Sequence, residues 1–320
     1  MKTYDVMTVG EAMALLVAQQ PGPLAEVTHF MRSSAGAELN VATGLSRLGW
    51  KVAYVTRVGA DPFGDYLLAT LDKEGIDRRF ARVDGSHPTG SMLKSCEPDG
   101  RDPQIAYFRK GSAASFLGPE DAPAEGLTGI RWLHLTGISV ALSPNLRDLI
   151  ALLLAQARTA GTQVSFDPNL RQRLWPDTAT MVRTVNHTAL QADLVLPGLS
   201  EGQLLSGQST ARDVAAWYLD QGVRQVVIKL GPQGAHCADA SGHHTVPGYP
   251  VERVVDTVGA GDGFAVGVIS GLLDGMSLPE AARQGNAIGA RVVQFVGDSE
   301  GLPNRQELRV ALQGATASQV

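Results

Sequence analysis

Residues 256–264, which read DTVGAGDGF, constrain this chain more than any other stretch. Three glycines fall between Gly259 and Gly263, and an almost wholly apolar run follows as far as Leu273. This pattern predicts a tight turn that leads into a buried helix. The N-terminus of a helix attracts anions, and glycines let an anion approach the backbone closely. The turn therefore predicts a site for a phosphate group, with Asp262 placed to accept a proton. A glycine turn capped by an aspartate is the purely structural alternative.

Composition narrows the class of protein. The chain has 320 residues, a net charge of −5 and 44% hydrophobic residues. These values predict a globular protein with a full core and without a basic surface for nucleic acid. The only two cysteines, Cys96 and Cys237, argue against a disulfide framework. No stretch is long and apolar enough to span a bilayer. We therefore expect a cytoplasmic protein that binds neither nucleic acid nor membrane.

Strand-like and helix-like segments alternate along most of the chain, which predicts parallel βαβ units. Two extended runs, 91–96 and 104–108, are joined by a turn-rich connector at 97–103 and predict an antiparallel hairpin outside the main sheet. The segment 251–255 has the composition of a further short strand. The other predicted strands are 4–9, 12–17, 51–58, 132–135, 163–166, 193–196, 225–230, 235–238 and 243–246, and the predicted helices are 37–48, 61–75, 146–159, 211–221, 262–273 and 278–293.

Polar segments follow three of the predicted strands at the point where each strand ends. They read DPNLR at 167–171, SE at 200–201 and GPQG at 231–234. In doubly wound sheets, ligands bind beyond the carboxyl ends of the strands. Together with the turn at Gly259, these segments predict one composite site at one edge of the sheet.

The stretch DTVGAGD at 256–262 resembles, at every position, the DTxGAGD signature of the ribokinase-type (PfkB) sugar kinases. The segment GAELNVA at 36–42 resembles the N-terminal signature of the same family. The resemblance implies that Asp262 is the catalytic base. It also implies that an anion hole for the transferred phosphoryl group is formed by the backbone of Gly259, Ala260 and Gly261.

The resemblance covers essentially the whole chain, so it also implies the architecture. We expect an α/β, ribokinase-like fold with a central, mostly parallel sheet flanked by helices and a small β lid. A single kinase domain would span residues 1–320, and the lid would be formed by about 12–34 and 89–110. A lid with apolar faces would also suit a homo-oligomer.

The cofactors implied by the resemblance are ATP and Mg²⁺. Glu201 would organise Mg²⁺ through water, although an acid in the first turn of a helix is an alternative reading. Gly198 stands where the family usually has asparagine, so the contact that the asparagine side chain would make to the nucleotide or to metal-bound water is not implied here. Lys229 would meet a phosphate unless it is simply a solvated lysine. The implied cofactor-binding residues are Gly198, Lys229, Gly231, Gly234, Gly259, Gly261 and Asn286.

Three further segments, 107–113, 167–172 and 297–301, resemble 2-keto-3-deoxygluconate kinases within the family. A sugar acid carries a carboxylate, which the planar fork of arginine matches. Met92 stands where some relatives have a tyrosine, so the contact from the lid is expected to differ. The implied substrate-binding residues are Gly36, Ala37, Asn40, Tyr107, Arg109, Arg171 and Asp298.

The implied reaction is ATP-dependent phosphorylation of the terminal hydroxyl of 2-keto-3-deoxygluconate. Its product, 2-keto-3-deoxy-6-phosphogluconate, would feed an Entner–Doudoroff-type aldolase step. A fructokinase or a 2-keto-3-deoxygalactonate kinase of the same fold is an open alternative, and so is a non-catalytic sugar sensor. A Rossmann dehydrogenase would need GxGxxG after the first strand, and GEAM at 10–13 lacks it.

Overall fold

The computed structural model describes residues 3–97 and 102–316, so residues 98–101 of the predicted connector lie outside the described residues. The strands are β1 (Tyr4–Val9), β2 (Met13–Ala18), β3 (Phe30–Ala35), β4 (Val52–Gly59), β5 (Ala81–Asp84), β6 (Ser91–Lys94), β7 (Ile105–Phe108), β8 (Ile130–Thr136), β9 (Gln163–Asp167), β10 (Leu194–Val195), β11 (Gln225–Lys229), β12 (Ala235–Asp239) and β13 (Gly242–Val246). The helices are α1 (Ala37–Arg47), α2 (Pro62–Lys73), α3 (Gly137–Leu142), α4 (Pro144–Ala160), α5 (Thr178–Ala189), α6 (Leu199–Ser206), α7 (Ala211–Asp220), α8 (Ala260–Leu273), α9 (Leu278–Val292) and α10 (Arg305–Thr316).

The larger sheet has nine strands in the order β13-β12-β11-β10-β9-β8-β1-β4-β5. All pairings from β11 to β5 are parallel, whereas β12 and β13 add an antiparallel edge. Strands β1, β4 and β8 are buried along nearly their whole length. Near-continuous apolar strands are typical of a parallel sheet that is covered on both faces. The predicted mostly parallel central sheet is confirmed.

Helices cover both faces of this sheet. Apolar side chains of α3 to α7 pack on one face, and those of α1, α2, α8, α9 and α10 pack on the other. Helices α8 and α9 approach each other closely, because a Cβ on Gly267 would lie 2.5 Å from the Cα of Gly285. Small residues in α8 are therefore required by packing. Within the described ranges, no helix has the length and apolar character needed to cross a membrane.

The smaller sheet has four strands in the order β3-β2-β6-β7. Its outer pairs are antiparallel, and its central pair, β2 with β6, is parallel. The hairpin of β6 and β7 was predicted, whereas β3 was not identified as a strand. This sheet is built from two segments far apart in sequence, because β2 and β3 precede the first helix and β6 and β7 follow the second.

The predicted strand at 251–255 is wrong. This segment has no ladder partner among residues 3–97 and 102–316, and a hydrogen bond of 2.7 Å joins Val255 N to Val293 O at the end of α9. The side chain of Val254 is 43% exposed, so this apolar residue does not mark a buried strand. Strand β5 and helices α3, α5, α6 and α10 were not predicted. Strand β5 lies at the sheet edge and buries none of its residues fully, so it lacks the apolar run that marks an inner strand.

Candidate active site

The glycine turn before α8 forms as the sequence predicts. Gly259 is the N-cap residue and has a φ of 83°, a conformation that favours glycine. A Cβ on Gly259 would also lie 2.2 Å from the carbonyl oxygen of Asp298. By contrast, the only atom of the described residues that a Cβ on Gly261 would meet is the Lys229 ammonium nitrogen, at 3.6 Å. The turn thus packs against the 297–301 loop on one side and is open to a ligand, beside a cation, on the other.

Asp262 lies in the first turn of α8 and is only 8% exposed. Its two carboxyl oxygens accept hydrogen bonds from the side-chain amides of Asn40, at 2.8 Å, and Asn169, at 3.3 Å. Burial raises the pKa of Asp262 to about 7, against the opposing effects of the Asn40 hydrogen bond and the charges of Lys229 and Arg171. A carboxylate with a pKa near neutrality and a fixed orientation is suited to general-base catalysis.

Asn169 is a site residue that the sequence reasoning did not identify. Its φ of 37° is the only positive φ of a non-glycine residue in the part of the chain that the structure describes. The conformation is held by Asp167, whose carboxylate accepts the Asn169 N–H at 3.2 Å. Backbone strain of this kind clusters at active sites. The available signal was the polar segment that follows β9.

A cluster of charges follows β9, β10 and β11. The Lys229 ammonium, at the end of β11, lies 2.7 Å from a carboxylate oxygen of Asp167, at the end of β9. Burial lowers the pKa of Lys229, but the carboxylates of Asp167 and Glu201 outweigh this effect and hold it above its usual value. Glu201 accepts the backbone N–H groups of Gly198, at 2.7 Å, and Leu170, at 2.6 Å. A charged lysine is thereby held beside the glycine turn.

A cavity of about 350 Å³ lies between the smaller sheet and this edge of the larger sheet. All seven predicted substrate-binding residues line it, together with three of the four predicted catalytic residues. Ala260, the fourth, is the first residue of α8. The lining residues that were predicted are Gly36, Ala37, Asn40, Tyr107, Arg109, Arg171, Gly259, Gly261, Asp262 and Asp298.

A family model described as pfkB family carbohydrate kinase matches residues 3–305 of this chain. The chain belongs to this family. A 2-dehydro-3-deoxygluconokinase of Bacillus subtilis (strain 168) is 48% identical over 95% of this chain and 94% of that protein. The solved structure of a PfkB protein from Polaromonas sp. JS666 is 46% identical, has a TM-score of 0.88 and covers 96% of this chain and 99% of its own. A protein described as ribokinase II from E. coli, solved with ATP and Mg²⁺, is 28% identical, with a TM-score of 0.89 and coverage of 97% and 99%.

In this PfkB chain the two predicted arginines differ in their environments. Arg109 is 9% exposed, and its guanidinium lies 2.5 Å from a carboxylate oxygen of Glu11. Glu11, also a cavity-lining residue, was not identified from the sequence. Arg171 is exposed, and one of its nitrogens donates to the Leu170 carbonyl at 3.1 Å. Arg109 is therefore held in place by a partner, whereas Arg171 donates, within the part of the chain that the structure describes, only to a neighbouring carbonyl.

Five predicted cofactor-binding residues do not line this cavity, namely Gly198, Lys229, Gly231, Gly234 and Asn286. Asn286 donates to the carbonyls of Val246, at 3.3 Å, and Pro247, at 3.0 Å. Gly234 has a φ of 101°, and a Cβ there would lie 2.1 Å from the Val246 carbonyl. These contacts stabilise the chain where it leaves β13. Nucleotide binding by these residues, and by Gly198, Lys229 and Gly231, stays a prediction.

The charged residues around Lys229 fit a magnesium nucleotide better than a metal held by protein alone. No group of three metal-ligating side chains occurs among residues 3–97 and 102–316. Mg²⁺ usually keeps several waters and is bound by one or two carboxylates together with substrate phosphates. Asp167 and Glu201 are two carboxylates beside Lys229 that could accept such waters.

Proposed function

We propose that this PfkB kinase transfers a phosphoryl group from ATP to the terminal hydroxyl of 2-keto-3-deoxygluconate, also named 2-dehydro-3-deoxygluconate. The observation that carries the proposal is the single cavity that combines a buried base, a glycine anion turn and two arginines. The 48% identity to the B. subtilis enzyme of that name supports the choice of substrate. The product is the 6-phosphate of the sugar acid.

Each step of the transfer has a residue suited to it. Asp262 accepts the proton of the attacking hydroxyl, and Asn40 and Asn169 hold its carboxylate in the required orientation. The N–H groups at Gly259, Ala260 and Gly261, with the Lys229 ammonium, face the charge of the transferred group. When bound with ATP, Mg²⁺ neutralises charge on the β- and γ-phosphates. Phosphoryl transfer depends mainly on such positioning and charge stabilisation.

The arginines support a substrate that carries a carboxylate. A guanidinium presents two parallel donors to a carboxylate, and such charge-assisted pairs are strong. Because Arg109 is already paired with Glu11, its remaining donors have a fixed direction. Arg171 is the more independent of the two, so it gives the sharper test of substrate class.

We expect Arg171→Ala to raise the KM for the sugar acid about 10- to 150-fold while the KM for ATP stays nearly constant. This range corresponds to the loss of a hydrogen bond to a charged group, about 1.5–3 kcal/mol. Arg171→Lys should recover only part of the loss, because an ammonium lacks the fork geometry. Steady-state kinetics with both substrates varied provides the measurement.

Arg173→Ala is the matched control, because Arg173 is exposed two residues further along and does not line the cavity. It should leave both KM values unchanged. Normal binding of the sugar acid by Arg171→Ala would contradict the sugar-acid assignment. Equal losses with neutral sugars and sugar acids would do the same, because a neutral sugar has no carboxylate for the arginine.

The alternatives differ in what they phosphorylate. A fructokinase would act on a neutral sugar, a 2-keto-3-deoxygalactonate kinase would prefer the epimer at one hydroxyl, and a sugar sensor would release no ADP. ADP release measured with fructose and with both epimeric sugar acids separates these three functions from the proposed one.

The activity should rise with pH through about 7. Asp262 accepts a proton only when it is ionised, and its pKa is raised to about 7. Since ATP phosphates also titrate in this region, the decisive measurement is the shift of the inflection in kcat/KM. Asn40→Ala removes a hydrogen bond that lowers the pKa of Asp262, so it should move the inflection to higher pH. An unmoved inflection would assign it to another group.

We also propose that the chain works as one kinase domain whose smaller sheet acts as a lid over the sugar. Strands β2, β3, β6 and β7 fall within or beside the predicted lid segments 12–34 and 89–110. Strand β7 forms the sheet edge, and its Phe108 is 60% exposed. This edge is the surface through which we expect a homo-oligomer to form, and sedimentation velocity would test it.

A further inference from the structure

Lys94, the last residue of β6, is a buried cation on the smaller sheet. Its side chain is only 1% exposed. The ammonium lies 2.5 Å from a carboxylate oxygen of Asp256 and 2.9 Å from one of Asp298. Burying an ammonium is costly unless the surrounding charges compensate it. Lys94 therefore occupies a site that is built for a cation, and the proposed reaction assigns it no role.

Both acceptors of Lys94 belong to the segments that shape the glycine turn. Asp256 accepts the N–H of Val258, at 3.1 Å, which fixes the start of the turn. It also accepts the N–H of Gly297, at 3.1 Å, which ties the turn to the 297–301 loop. The carbonyl of Asp298 in that loop occupies the space where a Cβ on Gly259 would lie. The ammonium thus joins the segment that begins the glycine turn to the 297–301 loop.

The Lys94 ammonium is needed to keep the carboxylates of Asp256 and Asp298 close together. Burial raises the pKa of Asp298, and the Lys94 charge opposes that rise. Burial lowers the pKa of Lys94, but Asp298 and Asp256 outweigh it, so the lysine stays protonated. Without the ammonium, two carboxylates would face each other inside the protein. Like charges at this distance repel, so the loop and the turn would move apart or bind a proton.

We propose that Lys94 is a positioning residue that couples the smaller sheet to the glycine turn. The cation is carried by the sheet that covers the sugar, and the carboxylates belong to the turn and to the cavity wall. The turn then reaches its working geometry only while the sheet is seated on it. A second contact joins the connector between β6 and β7 to the turn, because the Thr257 hydroxyl donates to a carboxylate oxygen of Asp102 at 2.6 Å. The inference rests on the proposed kinase activity but not on the identity of the sugar.

The test is chemical rescue of Lys94→Ala. Truncation removes the ammonium and leaves a space beside two carboxylates, and a neighbouring cavity of about 220 Å³ gives small cations access to it. We expect kcat to fall about 10- to 100-fold, in line with the effect of misplacing reacting groups by about 1 Å. Ammonium or ethylammonium chloride should restore kcat several-fold. Choline chloride at the same ionic strength should not, because its cation is too large and donates no N–H.

Two further variants sharpen the result. Lys94→Met fills the space with an uncharged chain, so its kcat should fall without rescue by ammonium. Lys110→Ala removes an exposed lysine two residues beyond β7 and should behave as the wild type in every salt. Circular dichroism and the melting temperature are measured in the same salts, so that a change in folding is distinguished from a change in turnover.

The inference would be overturned by wild-type turnover in folded Lys94→Ala, or by a loss that ammonium and choline restore equally. Variants that fold only when ammonium is present would also overturn it, because Lys94 would then serve stability alone. The wild-type protein is assayed first with the sugar acid. Its activity there tests the proposed function separately, because a different preferred sugar would change the substrate used but leave the Lys94 comparison intact.

Discussion

Asp262→Asn should lower turnover by about 10²- to 10⁴-fold, the usual contribution of a positioned general base. Asparagine keeps the size of the side chain and can still contact Asn40, but it cannot take a proton from the attacking hydroxyl. The KM for ATP should change little, because the carboxylate faces the sugar cavity with its two amide donors. Steady-state kinetics and isothermal titration with ATP provide the two measurements.

The stability of the variant separates loss of the base from loss of the fold. Because the folded pKa of Asp262 is raised, the folded protein binds this proton more tightly than the unfolded chain does. The stability contribution of this group therefore falls as pH rises from the unfolded value, about 3.9, to about 7. Asp262→Asn removes that cost, so its melting temperature at pH 8 should match or exceed that of the wild type.

Asp148→Asn, on the exposed face of α4, is the matched control and should change neither turnover nor stability. Near-normal turnover in folded Asp262→Asn would remove Asp262 from the mechanism. A loss of turnover together with a lower melting temperature at pH 8 would indicate a structural role instead. Either result would leave the cavity without its base.

Local sequence signals were sufficient to predict those strands and helices whose bounds are set by residues that are neighbours in the sequence. Strand β1 has the predicted bounds. Helix α2 begins as predicted, because Asp61 caps the N–H groups of Phe63 and Gly64 and Pro62 is the first helical residue. The segment 251–255 has the same kind of composition as a strand, but it lies outside both sheets. Whether an apolar run finds a ladder partner depends on tertiary structure, which composition does not encode.

The site shows the same division. The glycine turn and the polar ends of β9 and β11 could be predicted to meet, because parallel strands bring their carboxyl ends to one edge. The roles of Glu11 and Lys94 could not be predicted from the sequence. Each forms its ion pairs with residues about 100 or more positions away, and neither belongs to a motif that the sequence reasoning used. Buried ion pairs of this kind are visible only once the fold brings their partners together.

Gly261→Val should lower turnover by about 10²- to 10³-fold, the effect of keeping a developing negative charge away from one of its hydrogen-bond donors. Gly261 lies in the first turn of α8, its φ is not positive, and the position of its Cβ is open except for the Lys229 ammonium at 3.6 Å. The fold therefore has room for the new side chain, which would occupy the space where the phosphoryl group must approach. Gly261→Ala should give a smaller loss of turnover with equal or greater stability, because alanine is the better helix former.

Gly259→Ala is the matched control for folding, because the two glycines stand two residues apart with opposite environments. A Cβ there meets the Asp298 carbonyl at 2.2 Å and the residue must hold a φ of 83°, so the expected result is a lower melting temperature. If Gly261→Val folds and turns over as the wild type does, the open side of the turn does not receive the phosphoryl group. If instead turnover falls from Gly261→Ala to Gly261→Val while the melting temperature holds, the loss follows the volume placed in the anion site, and a structural role for Gly261 does not explain it.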